Sequence, residues 1–449
     1  MGFFNGKINI VTKSNRSLTS NKETFEYLKP QTIAIPIKHM DSEDFDVLVK
    51  VGDSVKIGTK LASRRGFFTV PLFSSVSGTV KAIEKRDHVT LRKTTHVVIE
   101  NNFLDETETV FQPVENLVSI TREQALEFMK GYGVLGLGGA GFPSYVKYEM
   151  VDNANTVILN GLECEPYITV DELYMKTYPK LLFEGLLLLM KASKAKTGIV
   201  VIKQSSNDLY KLLMDSLKTS LNSLGGNVNI EIRQIPDSYP MGWERQIIRM
   251  VLGKEYNRLP GEIGVLVSNT TTAITFAESV KTGLPMYKRF VTLSGDGFKN
   301  PQNINVRIGT MLSEVVAATG GYIDGVPTEF TRLIVGGSFM GNSFVTDEVA
   351  IFPICNAFLC LSGEGMLDVR PCMRCGRCIA CCPSGLQPEQ IAKATKEKDF
   401  DLLKILGVRK CMGCGSCTYV CPSHIDIADA VKKAKVSYIK LGGDDEDEI

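Results

Sequence analysis

Eight cysteines near the C-terminal end fall into two copies of one spacing. The first copy is Cys372, Cys375, Cys378 and Cys382 before Pro383; the second is Cys411, Cys414, Cys417 and Cys421 before Pro422. Both read C-x2-C-x2-C-x3-C-P, the run with which bacterial ferredoxins hold [4Fe–4S] clusters. Three thiolates two residues apart wrap one face of a cubane, and in two-cluster ferredoxins the fourth comes from the other run. The spacing thus assigns one cluster to Cys372, Cys375, Cys378 and Cys421, and the other to Cys411, Cys414, Cys417 and Cys382. Structural zinc prefers two C-x2-C pairs without the trailing Cys-Pro. Disulfides suit small secreted domains, whereas this is a chain of 449 residues whose start has no signal-peptide pattern. Cys355 and Cys360 lie in an apolar stretch and are expected in a core. Cys381 adjoins Cys382 and competes as a ligand, but the proline at 383 favours Cys382.

A second constellation lies far upstream. Gly136-Leu-Gly-Gly-Ala-Gly141 satisfies G-x-G-x-x-G, yet a helix precedes it and the clear strand follows, so the ordinary dinucleotide fingerprint fails on context. Six glycines in the eleven residues 131–141 still let backbone approach a ligand and present N–H groups to phosphate. Asn160-Gly-Leu-Glu-Cys-Glu-Pro166 follows at the C-terminal end of an expected strand, where α/β sheets bind ligands. Two acids beside an amide suit ribityl, ribose and carboxamide groups. The glycine loop, Lys147 and this acidic loop therefore read as a site for a phosphate-bearing, hydroxyl-rich cofactor.

The elements that must position these groups define an α/β multidomain chain. Residues 1–37 read as an irregular N-terminal segment. Over 38–115, alternating phrases at 47–61 and 75–83 read as a barrel-sandwich hybrid, like biotinyl and lipoyl carriers. Its linking stretch 63–70 has no lysine, so it is no swinging arm. Residues 116–283 are expected to form an α/β domain. Thr121 caps a helix to about Lys130, with strands at 156–160, 198–202 and 263–267 and helices at 171–193, 207–223 and 243–253. Strand-rich 284–345, with a helix at 311–318, reads as a β-grasp-like module, 346–365 as a linker, and 366–437 as an α-helical two-cluster ferredoxin-like domain. The acidic run Asp444–Glu448 reads as a solvated tail. With 51 basic and 50 acidic residues, the charge gives no sign of a nucleic-acid partner. No stretch has the ~18 apolar residues of a membrane span.

The stretches 136–147 and 160–167 together resemble the RnfC component of the Rnf electron-transport complex, which is similar in turn to the flavin- and NADH-binding 51 kDa subunit of respiratory complex I. Tyr239-Pro-Met-Gly-Trp-Glu-Arg-Gln246, Ser268-Asn-Thr-Thr-Thr-Ala273, 292–301 and 306–310 extend the likeness, which runs from about residue 40 to the end. It implies FMN, NAD(H) as substrate and two [4Fe–4S] clusters. Gly136, Gly138, Gly139 and Gly141 would face cofactor phosphate or stack near nicotinamide. Lys147, Asn160, Glu163, Glu165 and Asn269 would complete the pocket, with Glu244 nearby. No catalytic residue is implied.

The chain also departs from the family. It has Phe4-Asn-Gly-Lys-Ile-Asn9 for Gly-Gly-His-Pro, and Trp243 for the second glycine after Tyr-Pro-x-Gly. Gly336-Gly-Ser-Phe-Met-Gly341 replaces Gly-Gly-Pro-Met-Met-Gly, and Leu162 stands where the complex I subunit has an acid.

The implied function is a peripheral subunit on the cytoplasmic face of the cell membrane. It would exchange hydride between NAD(H) and FMN and pass single electrons to membrane subunits and a ferredoxin-like carrier. A soluble NADH-dependent reductase of the proline- or cobalamin-reducing type is the alternative enzyme. A flavin-free iron–sulfur relay is the alternative outside that class.

Overall fold

The computed structural model describes residues 10, 14–151, 154–221, 224–225, 228–328, 331–363 and 368–440. The departure at 4–9 and the acidic run at 444–448 lie outside them.

The glycine-rich loop and the 160–166 loop are organised by a four-stranded parallel sheet in the order Asn229–Ile235, Thr197–Lys203, Thr156–Asn160, Val265–Asn269. Its inner strands are nearly all apolar because both faces are covered. Val157, Leu159, Val200 and Ile202 pack with residues of helices Pro179–Ser193 and Thr270–Thr282; Ile158, Ile199 and Val201 pack with Ile247 and Ile248 of helix Glu244–Leu252. The chain enters at Thr156–Asn160, builds outward on one side, then returns to the other. The switch point therefore lies between Thr156–Asn160 and Val265–Asn269. The helix expected at 171–193 is two helices, Val170–Thr177 and Pro179–Ser193, because Pro179 cannot continue the first and starts the second. Thr121 and Gln124 form the expected capping box.

Two antiparallel sheets precede this domain. One is ordered Thr32–Pro36, Lys93–Asn101, Gly78–Asp87, Ser54–Val55; the other is Phe45–Val47, Lys60–Arg64, Pro71–Phe73. Ile33, Ile35, Leu61, Val76, Val97 and Ile99 fill the core between them. The segment 1–37 is thus not irregular throughout. Thr32–Pro36 is buried against Lys93–Asn101, and Phe25–Tyr27 pairs with Gln302–Arg307. Both strands are too short to show alternation against their polar surroundings.

A mixed six-stranded sheet follows, in the order Phe25–Tyr27, Gln302–Arg307, Lys288–Gly295, Ala357–Leu361, Arg332–Val335, Asn342–Phe344. Ala357–Leu361 runs parallel to Lys288–Gly295 at its centre, so the expected linker 346–365 supplies an internal strand. Five successive apolar residues, the first four buried, carry no period-2 signal to mark them. Cys355 and Cys360 are buried here, as core residues.

In the C-terminal domain, helices Pro388–Glu397, Phe400–Ile405 and Ile427–Lys440 enclose Leu386, Ile391, Leu403 and Val431. Short helices Arg377–Ala380 and Ser416–Tyr419 carry Cys378 and Cys417. Among the described residues no helix is long and apolar enough to cross a membrane.

Candidate functional site

Asn160 and Asn269 end adjacent parallel strands and stand opposite each other in register. A cavity of about 780 Å3 opens there, at the carboxyl ends of the strands, within the ~300–1,000 Å3 typical of small-molecule sites. Its wall includes Gly136, Gly138, Gly139, Lys147, Asn160, Glu163, Glu165, Glu244 and Asn269, so nine residues separated by up to 133 positions meet at one place. Gly141 is not on that wall.

The glycine loop closes on itself: Gly141 N–H donates to the Gly136 carbonyl and Gly136 N–H to that of Phe142, both at 2.9 Å. Leu137 N–H donates to Thr272 Oγ1 at 2.9 Å. Gly139 has φ +102°, and a Cβ built there would meet nothing within 4 Å, so its backbone is bare toward the cavity. His39, in the connection between strands Thr32–Pro36 and Phe45–Val47, braces the loop. Its Nε2–H donates to the Gly141 carbonyl at 2.7 Å, while Nδ1 accepts from Arg64 at 2.9 Å. That pattern requires neutral imidazole, and burial lowers the His39 pKa accordingly.

The polar wall is largely committed to itself. Lys147 donates to the Val267 carbonyl and stands 3.6 Å from Glu244. Burial lowers its pKa against the pull of that carboxylate. Asn160 donates to the Gly242 carbonyl at 2.8 Å. Asn269 caps helix Thr270–Thr282 and donates to Asp171 at 2.7 Å.

The two acids of the 160–166 loop divide. Glu165 accepts from Phe339 N–H at 3.0 Å, Met340 N–H at 3.1 Å and Tyr239 O–H at 3.2 Å, so it holds the 336–341 loop. Glu163 adopts φ +42°, and its Oε1 accepts from Asp171 N–H at 2.8 Å. Its Oε2 is buried without a partner among the described residues. Burial pushes the Glu163 carboxyl up to about 7, with Lys203 opposing. A buried oxygen without a partner is costly unless a ligand group meets it.

A second, small cavity of about 30 Å3 lies in the C-terminal domain. Cys382, Cys411, Cys414 and Cys417 all line it, the four that the spacing groups around one cluster. Cys381 does not line it; its thiol donates to the Cys378 carbonyl at 3.4 Å. Among the described residues no three His, Cys, Asp or Glu side chains gather as for a single ion. In a cubane each thiolate binds a different iron, so its ligands surround a volume rather than a point. Around the first run, Cys372 and Cys375 are exposed and Cys378 and Cys421 half-buried. Arg370 N–H donates to the Ser423 carbonyl at 2.9 Å and Ser423 Oγ to that of Pro371 at 3.0 Å, drawing Cys372 toward Cys421.

Met412 lines both cavities. Beside it, Tyr239 O–H reaches the Cys414 carbonyl at 2.6 Å, and the Tyr239 ring stacks on Phe339 at 4.4 Å. Sequence reasoning did not single out His39, Asp171, Thr272 or Met412. Met412, between two cysteines, and Thr272, within the 268–273 stretch, carried a positional signal; His39 and Asp171 did not.

A family model described as the Nuo51 FMN-binding domain matches residues 129–278. Models for the RnfC barrel sandwich hybrid domain and a 4Fe-4S dicluster domain match 4–103 and 365–422. The chain is 34% identical over 380 residues to the C subunit of the Na+-translocating ferredoxin:NAD+ oxidoreductase complex of Acetobacterium woodii, covering 83% of each. It is 29% identical to the proton-translocating counterpart of Clostridium ljungdahlii, covering 84% of this chain and 81% of that one. The C subunit of the ion-translocating oxidoreductase complex of Vibrio cholerae is 31% identical over 83% of this chain, which spans about half (48%) of that relative. An NAD+-reducing [NiFe]-hydrogenase in the H2-reduced state shares the fold, with TM-score 0.50 at 18% identity over 73% of this chain and 63% of that one.

Proposed function

Because the chain belongs to the RnfC family of Rnf-type ion-translocating oxidoreductase complexes, we propose that its 780 Å3 cavity binds FMN and NAD(H) and feeds the cluster of Cys382, Cys411, Cys414 and Cys417 first. The protein is an electron-transfer subunit with an FMN-binding domain and a dicluster domain. Bound FMN supplies the conversion between a hydride, two electrons at once, and the single electrons that a cubane accepts.

The residues present fit that group. Bare backbone at Gly139 and the neighbouring glycines admits a phosphate or a ring at close range. The free Oε2 of Glu163 and the Asn160 amide offer hydrogen bonds to a ribityl or carboxamide group. Lys147 brings an ammonium group to the wall, 3.6 Å from the Glu244 carboxylate. Glu165 keeps the 336–341 loop closed over the side that faces the clusters. The domains follow as a barrel-sandwich hybrid at 38–115, an FMN/NAD(H) domain at 116–283, and a β-grasp-like module that takes in Ala357–Leu361. The dicluster domain follows at 366–437.

One observation carries the order of the steps: Met412 is a common wall of the 780 Å3 cavity and the thiol-lined cavity. Membrane subunits of an Rnf-type complex and a ferredoxin-like carrier would take or supply the electrons from the cytoplasmic side. Anaerobic titration of the reconstituted chain with NADH tests the reading. Flavin and Fe–S absorbance should bleach together. Clusters that stay oxidised in a chain without flavin would overturn it in favour of a relay module.

A further inference from the structure

We propose that the exposed end of the first cysteine run is the docking surface for an acidic protein that exchanges single electrons with the chain. The inference rests on the electron-transfer reading above and concerns where the electron leaves. One electron passes between the cluster of Cys372, Cys375, Cys378 and Cys421 and an oxidised one-electron centre in the partner. The cluster is oxidised as the partner is reduced; no bond forms or breaks.

Four observations carry it. Cys372 and Cys375 are exposed, whereas Cys414 and Cys382 of the other cluster are buried. Arg370, Arg374 and Arg377 alternate with these cysteines and are exposed. Among the described residues no carboxylate forms an ion pair with any of the three, while exposed lysines on neighbouring helices, such as Lys393 and Lys433, each have one four residues away. The stretch 368–378 holds three arginines against one aspartate in a chain whose net charge is +1, so positive charge is concentrated at this spot. Finally, Val369 and Met373 stand 70% and 65% exposed beside the cysteines. Apolar contacts with a charged surround, rich in arginine, are what a small protein interface uses. Complementary charge raises the encounter rate of such a transient complex without making it tight.

The other use for these guanidinium groups would be to neutralise the cluster itself, and the experiment separates the two. The full chain is reduced with dithionite, freed of excess and mixed with an oxidised, acidic two-cluster ferredoxin under stopped flow. No NADH is involved, so a failed NADH titration would not obscure the result. The wild-type rate should fall roughly tenfold or more between about 20 and 300 mM salt. R370Q/R374Q/R377Q should lose about tenfold at low salt and most of the salt dependence, with full iron content and an unchanged cluster potential. A salt-independent rate that the triple change leaves alone overturns the proposal. So does a slower rate that keeps its salt dependence while the cluster potential shifts, because the arginines then serve the cluster. Should the triple variant lose iron, the wild-type chain decides alone. Its rate with the acidic ferredoxin should fall as salt rises while its rate with a basic cytochrome c does not, and a fall with both or with neither overturns the docking surface.

Discussion

The two cysteine runs are alike in spacing and opposite in surroundings. The one that begins at Cys411 curls around a small cavity, with Cys414 buried, Tyr239 on its backbone and Met412 shared with the 780 Å3 cavity. The one that begins at Cys372 lies on the surface with three arginines that no carboxylate pairs among the described residues. Ligand spacing is local and specifies the cluster. Position in a relay depends on what packs around each run, which spacing does not encode. One motif can therefore serve as the inner and the outer step of the same path.

The largest test of this asymmetry removes one ligand at a time. Cys414→Ser should cut NADH-driven reduction of the remaining cluster by roughly 100-fold while flavin bleaching persists. Cys375→Ser should leave transfer from flavin to the inner cluster at the wild-type rate. Stopped-flow absorbance with EPR of each cluster reads both, and equal losses would break the comparison.

Glu163→Gln tests whether the cofactor side behaves independently. The wild-type carboxyl titrates near 4.5 unfolded and at about 7 folded. Between those values the native state holds a proton that the unfolded chain has released, so stability falls as pH rises through the window. The glutamine variant lacks this fall. It should gain roughly 3 kcal/mol on the wild type between pH 4.5 and 8, read as Tm against pH, with both cluster spectra unchanged. Parallel Tm curves would show that Glu163 is not held neutral by its surroundings.

Tyr239→Phe sharpens the contrast further. It removes the hydroxyl shared by Glu165 and the Cys414 carbonyl, at a cost of about 1 kcal/mol in denaturant unfolding. The inner cluster's potential should move and the outer cluster's should not. The smallest effect is expected at Trp243, the sole tryptophan, which lines the cavity. Its fluorescence should be quenched on NADH addition, and an unchanged signal would separate it from the bound dinucleotide.

Much of this was legible in the chain because its signals are local. The capping box at Thr121, the strands at 156–160 and 198–202 and the thiolate spacings each depend on residues within a few positions of one another. Most of the glycine, lysine, amide and acid positions also converge on one cavity. What was missed is long-range. Ala357–Leu361 is a strand only because Lys288–Gly295 and Arg332–Val335 flank it. Asp171 sits in the first turn of a helix, where an acid needs no further explanation until Asn269 and Thr271 are seen to hold it. Glu165 is on the cavity wall, but that it also holds Phe339 and Met340, more than 170 residues on, is visible only in the fold.

His39 sets a limit on how the molecule can be dissected. It reaches 102 positions along the chain to grip the last glycine of the glycine-rich loop. A fragment cut at residue 116 would keep every strand of the parallel sheet and its apolar core, yet its loop would lack an external splint. Such a fragment would be expected to fold and to hold flavin weakly. Truncation mapping would then credit the barrel-sandwich domain with binding a cofactor that it only steadies from behind.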